Sequence, residues 1–460
     1  MPLIDPADDR PIHFMGIAGA GMSGLAELMV RRGARVTGCD AQGDGSGDLG
    51  ALGIAVTTGH DPAHVSGVRA VVVTSAVPRD HPELERARSL GIPIVRRAEA
   101  LAEAVAGGTL IAIAGTHGKT TTTVMTTEAL AAAGMNPTGV AGGRVGSWGG
   151  NLRAGRPDLA VVEADEYDRS FLALSPTVAV VNNVEADHLD IYADLADIRA
   201  AFGAFVRPAD HIVLGVDDAG AATIPVENRS RILGFGVTSP DARLAARGVQ
   251  ITATGSTFDV TYDGARLGRV ALRVPGLHNV RNALAAIAAG MLVGAPFPAL
   301  VPGLESFTGV ERRFQRLGEA AGVTVIDDYA HHPTEIRATL EAARAAFPRR
   351  RVVIAFQPHL FTRTRDFASD FGAALAAADL VFLAEIYPSR ERPLPGVTSG
   401  LVADALRANG RDVAWRGDRS TLASHLAAAV RRGDVVLTVG AGDITKTGPE
   451  LLTLLRRDHG

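Results

Sequence analysis

The strongest constraint on the fold is a turn of the phosphate-loop type between an apolar strand and a helix. The predicted strand Thr109–Ala114 leads into Gly115-Thr-His-Gly-Lys-Thr-Thr121, and a helical pattern rich in threonine and alanine follows. In such a turn, backbone N–H groups and the helix dipole hold phosphate oxygens, Lys119 neutralises charge, and the Thr120 hydroxyl can ligate Mg²⁺. The turn is a shortened variant, because Ile113 stands where the strict pattern has glycine. It predicts an α/β nucleotide-binding fold, with a chance Gly-Lys-Thr at an ordinary helix start as the alternative.

Lysine is scarce in this chain, which gives Lys119 added weight. Lys119 and Lys446 are the only two lysines, and all other basic residues are arginine. An ammonium group is a compact point charge, whereas a planar guanidinium fits a tight phosphate loop less well. The lysine at position 119 therefore favours phosphate binding, and Lys446 receives no role.

A second glycine-rich turn lies near the N-terminus. Gly19-Ala-Gly-Met-Ser-Gly24 follows the predicted strand Ile12–Ile17 and precedes a predicted helix over Leu25–Arg32. Glycines there permit close backbone approach to a diphosphate, and Asp40, at the end of the next strand, could hold a ribose hydroxyl. The pattern predicts a nucleotide diphosphate site. An NAD-dependent oxidoreductase and a turn that only packs helix on strand are the alternatives.

Two runs of acidic residues follow the next strands after the phosphate loop. Glu163-Ala-Asp-Glu-Tyr-Asp168 comes after the strand Leu159–Glu163, and His188 lies in a run that begins at the end of the strand Val178–Asn182. Carboxylates at strand ends beside a phosphate loop are typical ligands of a hard cation, and a neutral histidine can complete such a site. Solvated loop charges are the alternative for each residue alone, but their common position favours one site.

The alternation of strands and helices predicts three α/β segments with mainly parallel sheets. A length of 460 residues agrees with about three domains at roughly 150 residues each. We predict domains over residues 1–107, 108–310 and 311–460, with antiparallel hairpins within 230–275 and a helix over Asn279–Met291. In the last segment, strands are predicted over Val323–Ile326, Val352–Phe356, Leu380–Leu383 and Val435–Val439.

Composition excludes several classes of function. A net charge of −4 gives no reason to expect a nucleic-acid partner, and the single cysteine, Cys39, excludes a disulfide framework and a multi-cysteine zinc site. The polar start Met1–Arg10 lacks a signal-peptide pattern, and no apolar run approaches membrane-spanning length. We therefore expect a cytoplasmic protein with no nucleic-acid and no membrane partner. We also expect a monomer or weak dimer, although composition does not determine the oligomeric state.

The ordered set of motifs resembles the Mur ligase family of peptidoglycan synthesis. The resemblance covers nearly the whole chain, and its further motifs are His278-Asn-Val-Arg-Asn282, Arg312-Arg-Phe314, Asp327-Asp-Tyr-Ala-His-His-Pro333 and Phe356-Gln-Pro-His359. It implies a Rossmann-like N-terminal domain that binds a UDP-sugar, a central phosphate-loop ATPase-type domain, and a Rossmann-like C-terminal domain that binds an amino acid. The implied reaction is ATP-dependent ligation of L-alanine to the lactyl carboxylate of UDP-N-acetylmuramate through an acyl phosphate.

The resemblance also implies roles for individual residues. The UDP-substrate would contact Gly19, Gly21, Met22, Ser23, Gly24, Asp40 and Ser75. ATP would contact Gly115, Thr116, His117, Gly118, Lys119, Thr120, Thr121, Asn279, Asn282, Arg313 and Asp327. Magnesium or manganese would be held by Thr120, Glu163 and His188, and the amino acid by Tyr329, His331 and Arg363. The catalytic residues would be Lys119, His188, Arg313 and His331.

Some features of the sequence depart from those of other family members. Leu360 stands where some members carry an arginine, and no lysine between 119 and 446 could supply the carbamylated lysine that several related ligases use. The murein-tripeptide recycling ligase of the same family is the alternative function. The short passage from Arg169 to Leu174-Ser-Pro176, without an inserted charged stretch, favours the alanine ligase. A nucleotide switch without ligation chemistry is a further alternative from another class.

Overall fold

The computed structural model describes residues 2–5, 7–41, 47–74, 77–389 and 391–457, and it contains three separate sheets. The chain divides into two compact units. One unit comprises residues 1–248, 258–270 and 281–307, and the other comprises residues 249–257, 271–280 and 308–460. The three sheets agree with the three predicted α/β segments, while the predicted domain limits stay a prediction.

The first sheet has five parallel strands in the order β3-β2-β1-β4-β5. The strands are β1 (Ile12–Met15), β2 (Val36–Asp40), β3 (Ala55–Thr58), β4 (Ala70–Val73) and β5 (Ile94–Arg96). The helices are α1 (Ala20–Arg31), α2 (Gly47–Gly50), α3 (Pro82–Ser89) and α4 (Arg97–Ala104). Helix α1 begins earlier than the predicted Leu25, because Gly19 is its N-cap residue and the later glycines of the motif are helical.

The second sheet has ten strands in the order β15-β14-β13-β12-β11-β10-β6-β9-β7-β8. The first five in the chain are β6 (Thr109–Ala114), β7 (Pro137–Val145), β8 (Gly150–Arg153), β9 (Arg156–Glu163) and β10 (Val178–Val181). The others are β11 (His211–Gly215), β12 (Ile232–Gly236), β13 (Leu244–Thr252), β14 (Gly255–Tyr262) and β15 (Ala265–Leu272). The helices are α5 (Lys119–Ala132), α6 (Leu195–Val206), α7 (Ala219–Ala222), α8 (Leu277–Leu292) and α9 (Phe297–Ser306).

Strands β13, β14 and β15 are neighbours joined by two-residue connections, which only antiparallel strands permit. Asp263 and Gly264 both have positive φ, at 46° and 83°, as a tight hairpin turn requires. The hairpins predicted within 230–275 are therefore confirmed. Strands β7 and β8 form a further antiparallel pair that the sequence did not predict.

The third sheet has six strands in the order β16-β17-β21-β18-β19-β20, with only the β16–β17 pair antiparallel. They are β16 (Gln315–Ala320), β17 (Val323–Asp328), β18 (Val352–Phe356), β19 (Leu380–Ala384), β20 (Trp415–Gly417) and β21 (Val435–Val439). The helices are α10 (Pro333–Ala346), α11 (Phe361–Asp366), α12 (Ala368–Leu375), α13 (Gly400–Ala408), α14 (Arg419–Ala429) and α15 (Thr447–Arg457).

Both faces of the third sheet are buried, which explains why its strands are continuous apolar runs. Ile326, Ile354 and Leu437 belong to the apolar cluster on one face, whereas their chain neighbours Val325 and Val353 belong to the cluster on the other. Parallel strands covered on both faces have this pattern. In the described part of the chain, none of the helices has the length and apolar character needed to cross a bilayer.

Helix α9 packs directly on α5 at a glycine, and this contact supports the helix that follows the phosphate loop. A Cβ atom at Gly303 would lie 2.2 Å from the carbonyl oxygen of Glu128 and 2.6 Å from the Cα of Ala129. Backbone atoms cannot move aside as a flexible side chain can, so any side chain at position 303 must push the two helices apart.

We therefore expect Gly303→Ala to lower the free energy of unfolding by about 1–3 kcal/mol. Gly150→Ala is the matched control, because a Cβ atom at Gly150 meets no atom within 4 Å. The control should stay within about 0.5 kcal/mol of the wild type. Urea denaturation followed by circular dichroism measures both variants, and equal midpoints would contradict the close packing of α5 on α9.

Candidate functional site

The phosphate loop connects β6 to α5 through two glycines with left-handed backbone conformations. Gly115 has φ 134° and Gly118, the N-cap residue of α5, has φ 80°. A Cβ atom at Gly118 would lie 2.6 Å from Oδ1 of Asn282, and one at Gly115 would lie 3.0 Å from the Cβ of Asn182. These two positions therefore need glycine for conformation and for space.

The segment that follows β10 holds the phosphate loop in place. Asn183 Oδ1 accepts a hydrogen bond from His117 N at 2.8 Å, and the Asn183 carbonyl accepts one from Thr116 N at 3.1 Å. Thr116 Oγ1 in turn accepts from Glu185 N at 2.9 Å. The role of Asn183 was not predicted, although its place at the end of a strand beside the loop strand was a usable signal.

Lys119 is the first residue of α5, and its ammonium group turns back over the loop. The Nζ atom donates to the carbonyl of Gly115 at 2.8 Å and to Glu166 Oε1 at 2.9 Å, and it lies 2.8 Å from Glu166 Oε2. Burial disfavours the charge, but the nearby carboxylates of Glu166, Asp165 and Glu163 outweigh it and raise the pKa of Lys119. The lysine is therefore a fixed cation.

The predicted cation ligands lie at the carboxyl ends of three inner strands of the second sheet. Strands β10, β6 and β9 are parallel neighbours, so the residues after their carboxyl ends converge. Glu163 ends β9, where its Oε2 accepts from Gly142 N at 2.7 Å, and Thr120 is buried beside Lys119. His188 has φ 53°, and its Nε2 lies 3.8 Å from Glu166 Oε1.

Glu166 contacts both Lys119 and His188 and is the most buried acid of its run. Its side chain is 3% exposed, and burial raises the pKa of this carboxyl against the attraction of the Lys119 ammonium. The Tyr192 hydroxyl also donates to the Glu166 carbonyl at 2.6 Å, which fixes the backbone there. The predicted site included the run but not Glu166 itself.

The N-terminal glycine motif forms a separate turn in the first sheet. The Asp40 Oδ2 atom accepts from Ala18 N at 3.0 Å, so the carboxylate holds the turn. A Cβ atom at Gly21 would lie 3.0 Å from the Arg97 guanidinium, and one at Gly24 would lie 3.3 Å from the Cβ of Asn151. The last two glycines thus allow close packing around α1.

The remaining predicted residues of the UDP-substrate site differ in their surroundings. The Met22 side chain is buried in the apolar core. The backbone N–H groups of Met22 and Ser23 both donate to the Gly19 carbonyl at 2.9 Å, as expected where a helix begins. Ser75 lies outside the residues that the structure describes. The assignment of these residues to a UDP-substrate stays a prediction.

The asparagines of the His278–Asn282 motif have different surroundings. Asn282 is buried, and its Oδ1 lies so close to Gly118 of the phosphate loop that no Cβ atom would fit at that glycine. Asn279 is assigned to the second unit, where its Nδ2 donates to the Pro275 carbonyl at 2.7 Å. In the first unit, Asp217 accepts from three successive backbone N–H groups over residues 237–239 and from Nε of Arg281, which belongs to the same motif, at 2.9 Å.

The second unit brings its predicted residues around the aromatic ring of Tyr329. The guanidinium carbon of Arg313 lies 5.0 Å from the centre of this ring, and that of Arg312 lies 4.8 Å from it. His331 packs edge-on against Tyr329, with its Nδ1 3.1 Å from the Tyr329 carbonyl. Because a carbonyl only accepts, Nδ1 is the donor in this contact.

Arg363 lies on α11 beside the same histidine-rich region. Its side chain is 7% exposed, and its Nη1 lies 3.5 Å from His359 Nδ1. The His359 ring is 6.1 Å from the ring of His331 and stacks on Tyr387. Leu360, where some relatives carry arginine, is the N-cap residue of α11 and has φ 70°.

Asp327 and Asp328 end β17 as a pair of buried carboxylates with separate partners. Asp327 accepts from Thr438 Oγ1 at 2.6 Å, from Thr445 Oγ1 at 3.0 Å and from Arg312 Nε at 3.3 Å. Asp328 accepts from the backbone N–H groups of Phe314 and Ala330. Burial raises the pKa of Asp328 to about 6, although Arg313 opposes the shift.

Comparison with known proteins gives consistent matches along the chain. Residues 11–109 match the Mur ligase family catalytic domain, residues 113–290 the Mur ligase middle domain, and residues 312–442 the Mur ligase glutamate ligase domain. The UDP-N-acetylmuramate–L-alanine ligase of Acidothermus cellulolyticus is 47% identical over 97% of this chain and 95% of its own length. The corresponding protein of Streptomyces coelicolor is 45% identical over 99% of this chain and 100% of its own.

Two solved structures extend the comparison to the fold. The UDP-N-acetylmuramate–alanine ligase of Thermotoga maritima superposes with a TM-score of 0.83 at 30% identity, over 98% of this chain and 100% of that chain. A murein peptide ligase of Psychrobacter arcticus gives a TM-score of 0.71 at 26% identity, over 97% and 99% of the two chains. The fold is the three-domain architecture that these proteins share.

Proposed function

The chain belongs to the Mur ligase family, and from this premise we propose how it joins L-alanine to UDP-N-acetylmuramate in peptidoglycan precursor synthesis. The lactyl carboxylate oxygen attacks the γ-phosphorus of ATP, the bond to the β-phosphate oxygen breaks, and ADP leaves. The alanine amine then attacks the carbonyl carbon of the acyl phosphate. The tetrahedral intermediate loses inorganic phosphate as the amide forms.

The observation that carries this proposal is the largely buried Lys119 ammonium at the phosphate loop. A carboxylate and a triphosphate repel each other, so a fixed cation must lower the charge between them. Lys119 lies 2.8 Å from the Gly115 carbonyl and is held by Glu166, so it is positioned before ATP arrives. In this proposal the ATP phosphates replace Glu166 as the anionic partner of Lys119.

The predicted cation ligands at the carboxyl ends of these strands suit a magnesium ion. Thr120, Glu163 and His188 offer a hydroxyl, a carboxylate and an imidazole, and oxygen-rich sets of this kind suit hard cations. Bound there, magnesium would neutralise the transferring phosphoryl group. Glu163 ends β9 and His188 follows β10, and these two parallel strands flank β6, so the fold itself brings these donors to the end of the strands where Lys119 lies.

In the second unit, we assign the amino acid to the region around Tyr329. Arg363 would bind the alanine carboxylate, and His331 would accept the amine proton at Nε2, because Nδ1 faces the Tyr329 carbonyl. Arg313 would stabilise charge on the phosphoryl group, with Tyr329 under its guanidinium at 5.0 Å.

Identification of the reaction product distinguishes this function from its alternatives. Mass spectrometry of a reaction with UDP-N-acetylmuramate, ATP, magnesium, a mixture of amino acids and the murein tripeptide should show alanine addition, and ADP release should need both substrates. Addition of tripeptide without alanine would instead identify a recycling ligase. A nicotinamide absorbance change would favour an oxidoreductase, and ADP release without a muramyl nucleotide would favour a nucleotide switch.

We expect Arg363→Ala to raise KM for L-alanine about tenfold or more while KM for ATP is unchanged. The reason is the loss of a charge-assisted hydrogen bond, worth about 1.5–3 kcal/mol. Arg365→Ala is the matched control, because Arg365 lies on the same helix but is exposed and pairs with Asp366. Steady-state kinetics with each substrate varied in turn measures the effect, and an unchanged KM for alanine would remove Arg363 from the site.

A further inference from the structure

A cluster of metal-binding side chain types lies in the first sheet and has no role in the proposed reaction. It consists of His13 on β1, Cys39 on β2, His64 in the short helix Pro62–Val65, and Glu83 in the first turn of α3. We call it the His–Cys–Glu cluster. Its four elements are distant in sequence, so only the fold brings these residues together.

Strand geometry explains why these side chains converge. Side chains alternate between the faces of a strand, and Ile12 and Phe14 of β1 belong to the core on one face. Met15 and Cys39 are paired in register and belong to the core on the other face, so His13 and Cys39 share that second face. Cys39 and Glu83 are fully buried. A buried carboxylate of this kind requires strong polar partners.

The four residues present their possible ligand atoms close together. One ligand atom from each of them falls within 4.8 Å of all the others. Cys39 Sγ lies 3.3 Å from His13 Nε2 and 3.5 Å from both Glu83 carboxylate oxygens, which matches the separation of about 3.3–3.6 Å between tetrahedral zinc ligands. His64 Nδ1 and Glu83 Oε1 are hydrogen-bonded at 2.8 Å and would have to separate by about 0.5 Å around an ion.

The hydrogen-bond setting of the histidine also suits a metal. His13 Nδ1 lies 3.0 Å from Thr37 Oγ1, and metal-bound imidazoles are commonly oriented by a hydrogen bond on the nitrogen that does not bind the metal. An imidazole, a thiol and a carboxylate together provide the mixed nitrogen, sulfur and oxygen ligands of zinc sites.

We propose that His13, Cys39, His64 and Glu83 bind one zinc-class divalent transition-metal ion in a structural site of the first sheet. The ion joins β1 and β2 to the short helix Pro62–Val65 and to the first turn of α3. It also supports the glycine-rich turn, because the Cys39 carbonyl accepts from Gly16 N at 2.8 Å and from Ile17 N at 3.1 Å. His60 lies beside the site, with its Nδ1 3.3 Å from both Cys39 Sγ and Glu83 Oε2.

Cobalt titration of the full chain tests this site without an activity assay. Cys39 is the only cysteine in the sequence, so a thiolate-to-cobalt charge-transfer absorption can arise only there. We expect one equivalent of Co²⁺ to produce this absorption and zinc to abolish it by displacement. His64→Gln should weaken cobalt binding about tenfold or more, whereas His425→Gln, exposed on α14, should leave it unchanged.

Two results would overturn the proposal. One is cobalt binding to the wild-type chain without thiolate absorption, and the other is equal cobalt affinity in the wild type and His64→Gln. If a variant fails to fold by circular dichroism, alkylation of Cys39 in the wild type replaces it as the test. Zinc should slow that alkylation about tenfold or more if the thiolate is a ligand, and an unchanged rate would also overturn the site.

Discussion

Lys119→Ala should lower kcat for ligation by about a hundredfold or more, equivalent to about 3 kcal/mol in the activation barrier. The ammonium lies over the phosphate loop, 2.8 Å from the Gly115 carbonyl, and its pKa is raised by three nearby carboxylates. Alanine removes this charge and also leaves Glu166 buried without its counter-ion, which destabilises the folded chain. Kinetics at saturating ATP and magnesium, together with a thermal melt, measures the two effects separately.

Two variants isolate the effect of charge at this position. Lys446→Ala removes the only other lysine, which is exposed, and should have near-normal activity. Lys119→Arg retains a cation opposite Glu166, so it should be more stable than Lys119→Ala. Its planar guanidinium fits the tight loop poorly, so its kcat should still be low. A folded Lys119→Ala protein with normal turnover would refute the phosphate-loop assignment.

Asp327→Ala should destabilise the second unit by about 3 kcal/mol. Asp327 is 1% exposed and accepts from two threonine hydroxyls and from Arg312, so its removal leaves all three donors without this acceptor. The family resemblance assigns Asp327 to ATP binding, whereas these contacts make it a connection between β17, β21 and the residues that follow β21. Urea denaturation measures the loss.

The matched control for this prediction is Asp404→Ala. Asp404 is exposed on α13 and pairs with Arg407 on the same helix, so its loss should change stability by less than about 0.5 kcal/mol. Asp327→Asn keeps one acceptor oxygen and should be affected less than Asp327→Ala. A raised KM for ATP with unchanged stability of Asp327→Ala would show that the carboxylate serves the nucleotide and not the fold.

Much of the fold could be predicted because apolar runs and glycine turns mark the ends of parallel strands. The predicted strands Thr109–Ala114, Val352–Phe356 and Val435–Val439 coincide with β6, β18 and β21. Each is a run of residues buried on both faces, which is the clearest strand pattern in a sequence. The prediction failed at β7 and β8, since glycines and partial burial interrupt any regular alternation there.

The site was predicted in its motifs but not in its contacts. Loop spacing indicated Lys119, yet the ion pair with Glu166 depends on β9 lying beside β6, which no local pattern specifies. The same holds for Asn183, whose side chain reaches the loop only because β10 flanks β6 on the other side. Sequence motifs thus indicate which chemistry is present, and strand order determines which residues meet.

That strand order also affects how the chain is made. Strand β6 comes first in the chain among its sheet partners, but it pairs with β9 and β10, which are synthesised later. During translation, one edge of this apolar strand therefore stays open until β9 has left the ribosome at residue 163, and the other until β10 has left it at residue 181. Open apolar edges promote aggregation. Because the phosphate loop and its acidic and histidine partners follow these three strands, nucleotide can stabilise the folding chain only after all three have paired.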